Sequence, residues 1–316
     1  MIRKYFITGF SGFVARHFIE YLDKCKIDST ILGVDIARPE FQFENYKNIR
    51  CAYQELNLLN KDDITTLLQQ FRPDYILHLA SYSSVAYSWK QPIISFRNNT
   101  NIFLNLLQSV YDLDLSCRIL SIGSSEEYGN VSAEDLPLKE DHPLNPVSPY
   151  AVARVSQELL SKIYSNGYNL DIVMTRSFNH IGPYQKNTFA IPAFANQLLE
   201  LRKKGLRHGD VVAGDVNITR DFTDVRDVVS AYYALFEKGV KGNVYNICSG
   251  KGVTLKTIIE MLSSLLDVKC NIIINPNLIR PSDNKIIIGS NQKIVNQLGW
   301  IPLFSLEESL QDILRT

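Results

Sequence analysis

The sequence has 316 residues, 45% of them hydrophobic, enough for one large α/β unit with a smaller subdomain and a substantial buried core. Lys plus Arg and Asp plus Glu both total 33, so no net field recruits nucleic acid or an anionic membrane surface, and any anionic ligand has to be bound locally. The five cysteines, Cys25, Cys51, Cys117, Cys248 and Cys270, are scattered without CxxC spacing, which argues against a disulfide framework or zinc site and fits a reducing compartment.

Met1-Ile2-Arg3-Lys4 runs straight into an apolar strand pattern. With no signal-peptide architecture and no apolar run of bilayer length, a soluble cytoplasmic protein is expected. Tyr5-Phe6-Ile7-Thr8 reads as a strand ending in glycines, and a helical pattern follows from Phe13 towards Leu22. A second β run, Thr30 to Val34, ends at Asp35 and completes a βαβ unit. Then come Tyr75 to Ala80, a long amphipathic stretch after Pro92, the strand Arg118 to Ser121, a helix from near Tyr150, and a buried strand over Leu170 to Thr175. This alternation predicts an α/β fold with a Rossmann-type, doubly wound parallel sheet over residues 1–176. From Ser177 the pattern is less regular, and 177–316 reads mainly as a smaller C-terminal substrate-binding subdomain. Segments near 221–248, including Val244 to Ile247, are expected to return to the main sheet, and a further helix starts at Thr254. No repeat or Pro/Ser-rich linker divides the chain.

Gly9, Gly12 and Ala15 form a GxxGxxA pattern directly after the first strand. Small residues let the backbone approach a pyrophosphate, whose charge then sits against the amides opening the next helix. Asp35 stands where a carboxylate accepts hydrogen bonds from adenosine ribose hydroxyls and repels a 2′-phosphate, which favours NAD(H) over NADP(H); Arg38, three residues on, is placed to reach such a phosphate.

Ketone–alcohol interconversion on a nicotinamide needs a proton donor at the substrate oxygen, and a tyrosine serves when a positive charge lies beside it. Tyr150 and Arg154 are four apart on one helical face, and Ser124, beyond the Arg118–Ser121 strand, offers a second hydroxyl. His78 reads as part of a strand edge and His180 as a residue shaping the nicotinamide pocket. Neither has a partner at ligand spacing, so no metal site is expected.

The motifs together carry a resemblance. They are Thr8-Gly9-Phe10-Ser11-Gly12-Phe13-Val14-Ala15, His78-Leu79-Ala80-Ser81, Gly123-Ser124-Ser125-Glu126-Glu127-Tyr128-Gly129 and Ser148-Pro149-Tyr150. Later come Phe178-Asn179-His180-Ile181-Gly182-Pro183, Arg220-Asp221-Phe222-Thr223-Asp224-Val225-Arg226-Asp227, Tyr245-Asn246-Ile247-Cys248-Ser249-Gly250 and Arg280-Pro281-Ser282. Over nearly its whole length the chain resembles the extended short-chain dehydrogenases/reductases. Within them it is most similar to the GDP-4-keto-6-deoxy-mannose reductases, with GDP-mannose 4,6-dehydratases as near relatives.

That resemblance implies Ser124 and Tyr150 as catalytic hydroxyls, with Arg154 in the place of the usual lysine and Glu126 at the dehydratase acid/base position. It implies cofactor contacts from Gly9, Gly12, Phe13, Val14, Asp35, Leu79, Ala80, Ser81, Asn99, Tyr150 and Arg154. Substrate contacts fall to Ser84, Ser125, Asn179, Arg220, Arg280 and Asp283, the last at a position where glutamate is more usual. The implied activity is C4 ketoreduction of a GDP-4-keto-6-deoxy-hexose in a homodimer. The dehydratase reaction, a heptose equivalent and a non-catalytic nucleotide-sugar-binding role stay open at this point. Three positions depart from the pattern: Arg154 keeps the charge but not a titrating proton relay, Ala15 replaces the third turn glycine, and Ile102 stands where a small residue is usual.

Overall fold

The computed structural model describes residues 2–43, 45–282 and 284–316. In its first half strands and helices alternate: β1 (Arg3–Thr8), α1 (Phe13–Lys24), β2 (Ser29–Asp35), β3 (Ile49–Glu55), α2 (Lys61–Phe71), β4 (Tyr75–His78), α3 (Val85–Lys90), α4 (Pro92–Asp112), β5 (Arg118–Ser124), α5 (Pro149–Gly167) and β6 (Asp171–Ser177). The second half adds β7 (Asn179–Ile181), α6 (Ala190–Lys203), β8 (His208–Ala213), β9 (Thr219–Asp224), α7 (Val225–Lys238), β10 (Val244–Ile247), β11 (Gly252–Thr254), α8 (Leu255–Leu266), β12 (Lys269–Ile274), β13 (Ile286–Ile287), α9 (Gln292–Leu298) and α10 (Leu306–Ile313).

Seven strands make one parallel sheet in the order β10-β6-β5-β4-β1-β2-β3. Tyr5, Phe6 and Ile7 of β1 are fully buried, as a central parallel strand covered by helices on both faces requires. Beneath one face Tyr5, Phe18, Tyr75 and Phe236 interlock, with ring centroids 5.0 Å apart for Tyr5–Tyr75 and 5.1 Å for Tyr75–Phe236. Phe18, fully buried among them, contributes about 1.5–3 kcal/mol by leaving water. The strand order reverses between β1 and β4, and an open α/β sheet offers its ligand crevice at the carboxyl ends of the strands there.

Residues 219–224 belong to a smaller sheet, where β9 pairs with β7, β11 and β13, and the return to the main layer begins with α7. That helix packs on α1 and β5. A second apolar core forms around α6, α8 and the β12–β8 pair, with Leu198, Val211, Ile258, Ile259 and Leu262 buried. Among the described residues no helix is long and apolar enough to cross a membrane.

Candidate active site

The turn between β1 and α1 is set by packing. Gly9 adopts φ +69°, and a Cβ there would lie 2.6 Å from the Ala80 nitrogen, so this residue type alone lets the turn press against the loop after β4. Phe10 anchors the turn by filling the space above Gly33, where a Cβ would meet the ring at 2.1 Å. Gly12 opens α1 without a side-chain cap, which leaves the first-turn amides of Phe13 and Val14 for an external acceptor. Ala15 is fully buried against the core.

Asp35, ending β2, accepts the Ser11 N–H on Oδ2 at 2.9 Å and the Ile36 N–H on Oδ1 at 2.7 Å. Its carboxylate is therefore fixed beside the turn, with lone pairs remaining on both oxygens. Leu79 and Ala80 are held by Thr8, whose carbonyl accepts the Leu79 N–H at 3.1 Å and whose hydroxyl accepts the Ala80 N–H at 3.2 Å. The His78 imidazole, 2.9 Å from the same hydroxyl, is kept neutral by burial and by the charge of Arg154, which push it down to about 3. Asn99 is 1% exposed and spends its amide on Tyr82, accepting its N–H at 2.7 Å and donating to its carbonyl at 3.2 Å. Its side chain thereby shapes the loop after β4. Ile102 is buried beside Phe103, Leu106 and Leu107 in the apolar layer below.

Ser124 closes β5 and caps a 3-10 turn over Ser125–Tyr128. Its Oγ accepts the Glu126 N–H at 3.2 Å, while its own N–H donates to the Glu127 carboxylate at 2.6 Å. Tyr150 sits in the first turn of α5, where Ser148 caps the Ala151 N–H at 3.1 Å and Pro149 presets the helical backbone. The helix packs on β5 and on the 3-10 turn. Arg154, 5% exposed, places its guanidinium carbon 5.1 Å from the Tyr150 ring centroid.

The same guanidinium donates to the Ile122 carbonyl at 3.1 Å, to Gln157 Oε1 at 2.6 Å and to the Ser81 hydroxyl. Gln157 in turn donates to Ser121 Oγ at 2.9 Å, and Ser161 completes the layer at 3.0 Å from Ser121. Arg154, Gln157 and Ser161 fall at helical spacing on one buried face, a polar stripe readable in the sequence that motif matching passes over. The Arg154 Nε–H is buried without a hydrogen-bond partner among the described residues.

Around the crevice, Ser84 caps α3 by accepting the Tyr87 N–H at 3.1 Å, and Ser125 is buried. Asn179 is exposed on β7, and His180 stands 5.7 Å from the Phe13 ring between centroids. Arg220 is buried on β9 and donates to the carbonyls of Thr219 and Asn284 at 2.9 and 2.8 Å. Arg280 approaches Glu126 to 3.8 Å, which links the second half of the chain to the turn after β5. Asp283 lies outside the described residues.

The fold and this site define an extended short-chain dehydrogenase/reductase, an enzyme that uses a nicotinamide dinucleotide on a nucleotide sugar. The chain belongs to the GDP-mannose 4,6-dehydratase family, whose sequence profile matches residues 6–313. It is 32% identical to the GDP-6-deoxy-D-mannose reductase of Pseudomonas aeruginosa, over 99% of this chain and 97% of that protein. The structure of the Pseudomonas aeruginosa RMD complexed with NADPH is similar at a TM-score of 0.83 and 30% identity, covering 99% of this chain and 98% of that one. The UDP-glucose 4-epimerase of Thermotoga maritima, solved with UDP-glucose, reaches a TM-score of 0.87 at 26% identity, with 99% and 97% covered.

Proposed function

We propose that the chain reduces the C4 ketone of GDP-4-keto-6-deoxy-D-mannose to GDP-D-rhamnose in the cytoplasm, using NADH in preference to NADPH. The observation that carries this reading is the full-length 32% identity with a GDP-6-deoxy-D-mannose reductase. The uncapped amides of α1, the fixed Asp35 carboxylate and the orphaned Arg154 Nε–H fit a dinucleotide's pyrophosphate and ribose hydroxyls. When bound, the reduced nicotinamide supplies the hydride.

Tyr150 then donates a proton to the C4 oxygen, and the Ser124 hydroxyl donates a hydrogen bond to the same atom. The Arg154 guanidinium, close to the Tyr150 ring, offsets the negative charge that the phenol acquires. Gly9, Leu79, Ala80 and Ser81 wall the cofactor side, with Asn99 holding that loop in place. Arg220 and Arg280 serve the diphosphate, Asn179 the sugar or a phosphate, and Ser84 and Ser125 the substrate.

Purified protein given the keto sugar is expected to oxidise NADH with a higher kcat/KM than NADPH, followed by absorbance at the nicotinamide band. Failure to oxidise either cofactor overturns the reading. Ketosugar formation from GDP-mannose without added reductant would instead assign the 4,6-dehydratase reaction, with Glu126 as its acid/base.

The enzyme is a homodimer in this reading. Ile93, Phe96, Leu104 and Tyr111 recur at helical spacing on α4, and Val152, Leu159 and Ile163 on α5, all exposed on two helices that pack side by side. A second copy laid across this face would complete a bundle of four helices. Light scattering is expected to give twice the single-chain mass for the native protein and the single-chain mass for a Leu159→Glu, Ile163→Glu double variant. A monomeric native protein would refute the dimer.

A further inference from the structure

We propose that Glu127 is a positioning residue, a neutral carboxylic acid built in behind Ser124 that holds the backbone of the catalytic loop. This rests on the reading of Ser124 as a substrate-facing hydroxyl.

Glu127 follows the motif's Glu126 in sequence but faces the other way, into the protein, and has no exposed surface. Its Oε1 accepts the Ser124 N–H at 2.6 Å, closing a capping box within the turn that Ser124 opens. The space is reserved for it. A Cβ on Gly123 would lie 2.4 Å from Oε1, so any other residue at 123 collides with the carboxyl.

Among the described residues no cation hydrogen-bonds Glu127, and Arg176, whose charge favours its anion, spends its donors elsewhere. Arg176 on β6 gives two hydrogen bonds to Glu158 on α5, at 2.8 and 2.9 Å, and a third to the Glu140 carbonyl at 3.0 Å. Lys162 also goes to Glu158, at 2.7 Å. The loop before α5 contributes Glu140 and, against the Tyr128 ring, His142. Lys293 on α9 is bound to Asn243 and the Val244 carbonyl. Glu127 Oε2 is buried with no hydrogen-bond partner among the described residues. An ionised Glu127 would be an uncompensated buried charge beside the Glu158 carboxylate, whereas a neutral acid still accepts from Ser124. Burial and Glu158 accordingly push its carboxyl up, to about 8.

Ionisation would set two carboxylates against each other behind the loop and displace the turn that carries Ser124 and Glu126. The expected signature is a fall in kcat as pH rises through about 8. Glu127→Leu, which cannot accept from Ser124, is expected to lower kcat about tenfold or more with little change in KM, since small misplacements of reacting groups cost rate. Glu127→Gln keeps the acceptor and cannot ionise. It is expected to recover most of the rate that Glu127→Leu loses and to remove that limb from the pH profile.

Superimposable pH profiles for the native enzyme and Glu127→Gln would overturn the proposal, as would full kcat in Glu127→Leu. A second readout is independent of turnover. A carboxyl raised in the folded state stabilises the fold below the ordinary carboxylate range, and that stability is lost as pH rises through the folded value. The native thermal midpoint is therefore expected to fall, relative to Glu127→Gln, between pH about 4.3 and about 8. If no keto sugar is turned over, the functional reading fails, and parallel midpoints would then reject the neutral acid separately.

Discussion

The Tyr150→Phe variant is expected to turn over the keto sugar about 10²- to 10⁴-fold more slowly than the native enzyme, the range that a positioned proton donor contributes. The loss should fall on kcat. The ring is 7% exposed and keeps its packing in the first turn of α5, and the Arg154 guanidinium keeps its place over the ring face. Dinucleotide binding, read by nicotinamide fluorescence, should therefore be preserved. Ser124 alone would then orient the C4 oxygen without giving it a proton. Turnover at the native rate would transfer the acid role to another group.

The second large effect concerns the salt bridge behind the same loop. Arg176→Met is expected to destabilise the protein by about 3–5 kcal/mol at neutral pH, the cost of leaving one partner of a buried ion pair alone. Arg176 is 2% exposed, clasps Glu158 through two nitrogens and lies with its guanidinium carbon 4.7 Å from the Tyr128 ring centroid. Burial alone would raise Glu158, but the hydrogen bonds from Arg176 outweigh it and hold the carboxyl below its ordinary value.

A depressed carboxyl gives stability that is present above its unfolded value and lost as pH falls through the folded one. The variant lacks that contribution, so the gap between it and the native protein should narrow as pH drops from neutral through the carboxylate range. Denaturant midpoints measured at neutral and acid pH check this. A gap independent of pH would make the loss one of packing.

The first βαβ unit was legible because its signals are local: an uninterrupted apolar run in β1, the Gly9 and Gly12 turn, and a carboxylate ending β2. Strand β3 carried no such signal. It is the edge of the sheet, and in Ile49–Glu55 only Ile49 is buried. The short strands β7 and β11 have three residues each and are defined by their pairing with β9, which no window along the chain reveals.

Within the site, Ser124, Tyr150 and Arg154 stood out by motif and spacing. Asn99 was readable as a motif position, but its engagement with Tyr82 depends on the loop folding back over α4. Glu127 was hidden for a further reason. A glutamate beside a glutamate in a turn reads as surface charge, and its burial follows from Gly123, Glu158 and Arg176, on three separate elements.

Arg154 is also a fastener. One side chain joins α5 to the loop after β4 through Ser81 and to β5 through Ile122, while Gln157 braces it from the next turn. A lysine there has neither the fork nor the reach to make those contacts at once. Replacing Arg154 with lysine is expected to remove the 2.6 Å bond to Gln157 Oε1 inside the protein, so the effects of substitutions at 154 and 157 on the thermal midpoint should be non-additive.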